Sequence, residues 1–177
     1  MEVKVLGERT TCKGIRYSLK ALTIEVDGRR FEREVLTHPG AVAILPFLDG
    51  DTVVLLRQWR PGCQCWLIEV PAGTMEPGET PDETARRELE EETGYTAERL
   101  YKVGEIYPTP GTSTEAIHLY IAEGLKEGKA HPEEDELIEV IRVPLRKAVE
   151  MVVNGEIRDA KTVALLLLAW TGKHAVG

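Results

Sequence analysis

Apolar residues come in short runs separated by Gly, Pro and Asp, a rhythm of strands with few helices. Residues 3–5, 16–26 and 30–35 are rich in Val, Ile, Tyr and Leu, and Asp27-Gly28 between the last two predicts a tight hairpin. After the punctuation of His38-Pro39-Gly40, residues 41–47 and 52–57 predict two more strands, read as a second hairpin around Asp49-Gly50-Asp51. Further strands are predicted over 66–70, 100–106, 113–122 and 138–143. Helices are predicted over 81–93, 144–153 and 159–171. Pro144 suits the first turn of the second helix and Asn154-Gly155 its end. The pattern is that of an α+β domain, 39–177, preceded by a small antiparallel β-sheet, 1–38. A sheet that short cannot bury a core alone, so it needs the main domain or a second subunit.

Composition narrows the function classes. Of 177 residues, 42% are hydrophobic and 29% charged, a balance that closes a globular core. The longest apolar runs, 41–48 and 163–170, fall well short of the roughly 20 residues a membrane-spanning helix needs. The N-terminus has no signal-peptide core, so a soluble, cytoplasmic protein without membrane partners is expected. The net charge of −8, from 30 acidic and 22 basic residues, argues against coating nucleic acid. The acid is concentrated in two clusters, Glu88, Glu90, Glu91, Glu92 and Glu133, Glu134, Asp135, Glu136. Taken alone, each cluster suits solvated surface or a cage for hard divalent cations. Three cysteines, Cys12, Cys63 and Cys65, form an odd set that argues against a disulfide framework, and all three thiols read as structural or incidental. The four histidines show no metal spacing.

Residues 73–95 read GTMEPGETPDETARRELEEETGY. Thr80 is a good N-cap, Pro81 fits the first helical position, and Glu83 completes a capping box. Gly94 is a helix stop. Glu88, Glu91 and Glu92 stand at i, i+3 and i+4, within an arc of about 100° on one face. Like charges so placed repel, so the helix gains nothing from them unless a cation sits there. Ala85 and Leu89 point to the core side.

Gly73, Glu79, Arg87-Glu88-Leu89, Glu91-Glu92 and Gly94 match the Nudix box, and the chain resembles the Nudix hydrolase family over most of its length. Tyr95 stands where the box prefers a bulky aliphatic. The resemblance implies an α/β/α sandwich around a mixed sheet, and hydrolysis of a nucleoside diphosphate linked to another moiety with Mg²⁺, or Mn²⁺ or another divalent cation. A pyrophosphate is anionic, so carboxylates reach it only through bridging cations, which also lower the pKa of a bound water. By resemblance Glu88, Glu92 and the carbonyl of Ala72 hold metal. Gly73, Glu79 and Arg87 would support the loop, with Arg87 and Glu79 as an internal pair.

Outside the box, Arg33-Glu34-Val35 before His38-Pro39-Gly40-Ala41-Val42, Leu56-Arg57-Gln58-Trp59-Arg60-Pro61, Glu69-Val70-Pro71-Ala72-Gly73, Pro110-Gly111-Thr112-Ser113-Thr114-Glu115 and Gly155-Glu156-Ile157-Arg158-Asp159-Ala160-Lys161-Thr162 resemble the ADP-ribose pyrophosphatase subgroup. That resemblance implies cleavage of ADP-ribose to AMP and ribose 5-phosphate by a homodimer that exchanges its N-terminal sheet. It places Arg33, Arg60 and Gly111 at the substrate, where guanidinium groups suit phosphate or adenine. In the second acidic cluster it makes Glu134 the general base and Glu136 a metal ligand, with Glu91 of the box the next candidate for the base. No aromatic stands near Cys12 to stack on adenine; Tyr17 is the nearest. Two alternatives remain open. One is hydrolysis of another nucleoside diphosphate derivative, such as a dinucleotide, a sugar nucleotide or NADH. The other is a non-catalytic ADP-ribose-binding module.

Overall fold

The computed structural model describes residues 2–15, 17–132 and 136–174. The chain forms two compact units, one of residues 1–40 with 107–116 and the other of 41–106 with 117–177.

The first unit is an antiparallel sheet, β1 (Val3–Lys13), β2 (Ser18–Val26) and β3 (Arg29–Thr37), in that order. Asp27 and Gly28 both have positive φ, 49° and 80°, and join Val26 to its partner Arg29. A two-residue turn of that hand matches the twist of the strands it connects. The 107–116 segment is tied to the end of β3: Leu36 N donates to Thr112 O (2.8 Å), Thr114 N to Leu36 O (3.0 Å), and His38 N to Thr114 Oγ1 (2.8 Å). Ala21 is the one buried hydrophobic of the described residues in β1–β3, while Val5 is 66% and Phe31 40% exposed. The sheet therefore lacks a core of its own, as its length implied.

The second unit holds a mixed sheet and an antiparallel one. β4 (Ala41–Pro46) is the centre of the first: it pairs antiparallel with β7 (Ala72–Thr74) and parallel with β9 (Ile117–Glu127), which pairs antiparallel with β8 (Tyr95–Ile106). β5 (Thr52–Arg60) lies between β6 (Cys65–Glu69) and β10 (Ile138–Pro144) in the second. Every residue of β4 is buried. Ala41, Ala43, Leu45 and Phe47 pack with α2 (Leu145–Val153) and α3 (Ala160–His174), through Leu145, Ala148, Met151, Leu165, Leu166 and Ala169. Val42 and Ile44 face Ala85 and Leu89 of α1 (Pro81–Thr93), with Tyr95 and Tyr120. Helices on both faces of one mixed sheet give the α/β/α sandwich. Among the described residues no helix is long and apolar enough to cross a membrane.

Two expectations are corrected. The strands around Asp49-Gly50-Asp51 do not form a two-strand ladder: β4 and β5 belong to different sheets, meeting at an isolated bridge between Phe47 and Val53 and the bond from Leu48 N to Thr52 O (2.9 Å). Asp49 Oδ1 accepts from Asp51 N and Thr52 N, so the turn is real, but parallel pairing with β9 claims β4. The cysteines are also not all free thiols. Cys63 and Cys65 form a disulfide in the β5–β6 turn, where Gln64 has φ 51°, and Cys12 alone is free.

Candidate active site

Helix α1 starts where local chemistry dictates. Thr80 Oγ1 accepts from Glu83 N, and the Glu83 carboxylate accepts from Thr80 N (2.8 Å), with Pro81 in the first turn. The helix ends at Gly94, in the left-handed region at φ 75°. A Cβ at Gly94 would lie 2.6 Å from Ala130 N, so both conformation and space require glycine.

This frame fixes Glu88, Glu91 and Glu92 on one side of α1. Glu92 is 2% and Glu88 9% exposed, although both are carboxylic acids. Glu92 Oε2 accepts from Ala72 N (2.8 Å), which ties the helix to β7. Burial pushes the Glu92 carboxyl up to about 8, with repulsion from Glu88 and Glu136 adding to it; the Ala72 hydrogen bond and the Arg60 charge act the other way. Burial likewise raises Glu88 to about 7, helped by Glu91 and Glu136 and opposed by Arg87. Glu136 is thus electrostatically coupled to both box glutamates across 44 residues or more of sequence. Gly73 stands against the end of the Glu88 side chain: a Cβ there would lie 2.0 Å from its Cδ and Oε1, so any other residue would have to displace that carboxylate.

Arg87 is the internal cation of this face. Its Nε and Nη2 donate to Glu79 Oε1 and Oε2 (2.8 and 2.9 Å), and Nη2 also to Thr74 O (3.3 Å). Its Nη1 donates to Glu88 Oε1 (2.7 Å) and Glu91 Oε2 (2.9 Å). The premise that the three glutamates gain nothing without an added cation is therefore corrected, since Arg87 already relieves two of them. Glu79 also accepts from Glu76 N and Thr84 Oγ1, and the Arg87 hydrogen bonds draw its carboxyl down to about 2. Arg87 and Glu79 so pin the 74–80 loop to the helix.

Whether this donor set suits a divalent cation is answered by its chemistry. Glu88, Glu92, Glu136 and the Ala72 carbonyl offer only oxygen, the donor of hard cations. Two of the carboxylates are held where ionisation is unfavourable, and a cation would reverse that. Among the described residues no three His, Cys, Asp or Glu side chains converge closely enough to hold a metal by themselves. The fit therefore draws on the backbone oxygen, with Glu88 Oε1 shared with Arg87 Nη1.

The remaining expected site residues are distributed between the units. Arg60, on β5, donates from Nε and Nη2 to both oxygens of Glu69 (2.9 and 2.8 Å). Arg33 and Gly111 belong to the first unit, where Arg33 Nη1 donates to Glu32 O (2.9 Å) and its guanidinium lies 5.6 Å from the Phe31 ring centre. Tyr17 stacks on His38 at 5.3 Å. Glu134 lies outside the described residues. Sequence reasoning gave Glu69, Asp159, Lys161 and Thr162 no role. The available signal was a glutamate closing the apolar strand Trp66-Leu67-Ile68-Glu69, since a charge in such a place must find a partner.

Comparisons with known proteins place the chain in a family. Residues 37–166 match the family described as NUDIX domain. The chain is 40% identical to an ADP-ribose pyrophosphatase of Bacillus subtilis over 168 residues, covering 90% of this chain and 91% of that protein. It is 41% identical to a GDP-mannose pyrophosphatase of Salmonella typhimurium over 176 residues (92% and 90%), and 37% to a methanol dehydrogenase activator of Bacillus methanolicus over 168 (90% and 91%). A solved structure titled as an ADP compounds hydrolase superposes with a TM-score of 0.88 at 23% identity, covering 100% of this chain and 97% of that one, which shows a shared fold. With its box glutamates gathered on α1 and a family match across most of its length, the chain belongs to the NUDIX domain family of hydrolases.

Proposed function

We propose that this hydrolase cleaves the diphosphate of ADP-ribose to AMP and ribose 5-phosphate, using Mg²⁺ or a similar divalent cation. The observation that carries the reading is the buried pair Glu88 and Glu92, raised to about 7 and 8 beside Glu136 and next to the Ala72 strand. Glu88, Glu92, Glu136 and the Ala72 carbonyl would hold the metal. A cation held there supplies neutralisation of diphosphate charge and acidification of a bound water. Glu134 takes the proton from the attacking water, with Glu91 the alternative base. Arg60, Arg33 and Gly111 bind the substrate. Residues 1–38 act as a dimerisation domain before the catalytic domain 39–177, because their sheet leaves Val3, Val5 and Phe31 in need of cover.

The relative named ADP-ribose pyrophosphatase, at 40% identity over nine tenths of both chains, supports the substrate. The equally similar GDP-mannose pyrophosphatases favour a second reading, hydrolysis of a nucleotide sugar. Incubation with ADP-ribose or GDP-mannose in Mg²⁺, with chromatography of products, separates them. AMP and ribose 5-phosphate formed at a higher kcat/KM than the products of GDP-mannose support the first reading, and the reverse order supports the second. Light scattering at micromolar concentration tests assembly: a fully active monomer overturns the dimer.

A further inference from the structure

The turn between β5 and β6 carries a disulfide that the hydrolysis does not use. Arg60 and Cys65 are the last register pair of the β5–β6 ladder, and residues 61–64 join them. Within that turn Cys63 is bonded to Cys65, with Cα atoms 5.3 Å apart, inside the usual span of a disulfide. The two cysteines stand two positions apart, so the bridge closes a very small ring. Such a ring removes less freedom from the unfolded chain than a long loop does, which makes stability a weak reason for the bridge. The bridge is also open to attack: Cys63 is exposed and Cys65 half-buried. Accessible disulfides form the labile class, whereas structural ones resist exchange with thiols.

The turn suits the bond both made and broken. Gln64, between the two cysteines, has φ 51°, a left-handed conformation that a residue with a Cβ adopts at a cost. The closed ring holds it there, and opening the ring lets it leave. Cys63 Sγ also lies 3.6 Å from Arg60 O and 3.9 Å from Cys65 O, so a thiol at this position has two carbonyl acceptors at hand. The first of those carbonyls belongs to the residue whose guanidinium pairs with both oxygens of Glu69 (2.9 and 2.8 Å). The bridge thus sits against the backbone that aims Arg60.

We propose that Cys63 and Cys65 are a thiol–disulfide exchange site for a dithiol reductant, and that the closed bridge holds the end of β5 so that Arg60 is aimed at the substrate. A thiolate of the reductant attacks Cys63 Sγ, the S–S bond breaks, and Cys65 leaves as a thiolate that takes up a proton. The reductant's second thiol then attacks the reductant's own sulfur in the mixed disulfide and releases Cys63. Two electrons and two protons pass to the cysteine pair, and the reductant leaves as a disulfide. The effect on Arg60 rests on the ADP-ribose reading above, and the exchange itself does not.

Thiol counting on native protein tests the exchange. Air-oxidised protein should show one reactive thiol, Cys12; after dithiothreitol at neutral pH without denaturant it should show three, and reoxidation should restore one. Trp59 and Trp66, register partners beside the bridge and 37% and 43% exposed, should report each step by fluorescence. Reduced protein freed of reductant should hydrolyse ADP-ribose with KM raised by about tenfold, the scale of one hydrogen bond to a charged group, and kcat little changed. Cys63→Ser with Cys65→Ser should show the raised KM and no response to dithiothreitol, while Cys12→Ser should behave as wild type. Three thiols in air-oxidised protein, or a bridge that dithiothreitol opens only in denaturant, overturns the exchange site. Equal KM in the two redox states overturns its tie to Arg60. Protein that hydrolyses no ADP-ribose defeats the substrate reading instead, and the thiol count still decides the exchange.

Discussion

At the scale of single residues, Glu92 shows how function and stability pull apart. It is 2% exposed with one hydrogen bond, from Ala72 N, and burial raises its pKa to about 8. Glu92→Gln keeps an oxygen for Ala72 N and removes a buried charge, so the fold should hold or gain slightly in thermal melting. Activity in saturating Mg²⁺ should drop by orders of magnitude, because a ligand is lost. Near-wild-type turnover would sink the assignment. The acidic loop calls for a different comparison. Glu134→Gln should lower kcat by about 10²–10⁴-fold with KM little changed, the behaviour of a general base. Glu136→Gln should raise the Mg²⁺ needed for half activity, and Glu133→Gln should do neither. If Glu133→Gln is the kcat variant, the base is one residue earlier; if all three are silent, Glu91 becomes the candidate.

At the scale of elements, the glycines of the box loop and helix act in different ways, and two substitutions tell them apart. The atoms nearest a Cβ on Gly73 are all at the end of the Glu88 side chain, which can swing aside. Gly73→Ala should therefore keep the melting temperature and lose activity, by moving a carboxylate. A Cβ on Gly94 meets backbone at Ala130 and must adopt φ 75°. Gly94→Ala should cost about 1–3 kcal/mol in denaturant unfolding, the range for an enforced strained conformation. Gly155, at φ 77° with open space around it, is the control, and Gly155→Ala should cost less. Equal losses at the two sites would mean that crowding at Ala130 is unimportant. What the sequence made legible follows the same division between local and distant causes. The Thr80–Glu83 capping box, the Gly94 stop and the Asp27-Gly28 turn are settled within a few residues, and all appear as read. The supposed β4–β5 hairpin failed because sheet membership is set by Ala41 meeting Ile117, far along the chain. Strand β7 was missed since three residues of Ala-Gly-Thr carry no pattern. The Lys161–Glu69 bond spans 92 residues, and no spacing rule reaches that distance.

At the scale of the whole molecule, the carboxylates give stability a pH dependence that metal should reverse. Glu88 and Glu92 have folded-state values of about 7 and about 8, above the ordinary 4.5. Between pH 4.5 and about 8 the folded protein therefore binds protons that the unfolded chain has lost. Since unfolding stability changes with pH as protons bound unfolded minus protons bound folded, stability must fall as pH rises through that window. Glu79 and Glu69 work in the opposite sense: the first is drawn to about 2 by Arg87, and the second is lowered by its hydrogen bonds and charge contacts with Arg60 and Lys161 against the cost of burial. Their contribution is present above 4.5 and is lost only as pH falls toward those lower values. Protein stripped of divalent cations by a chelator should then be most stable in mild acid and soften from pH 5 to pH 8. Mg²⁺ binds ionised carboxylates and not protonated ones, so it should add little at pH 5.5 and progressively more toward pH 8.5. Melting temperatures measured with chelator and with Mg²⁺ at pH 5.5, 7 and 8.5 check this, and calorimetry at pH 7 should register proton release on binding. A Mg²⁺ gain that is the same at all three values would show that Glu88 and Glu92 are not the groups that exchange protons for metal.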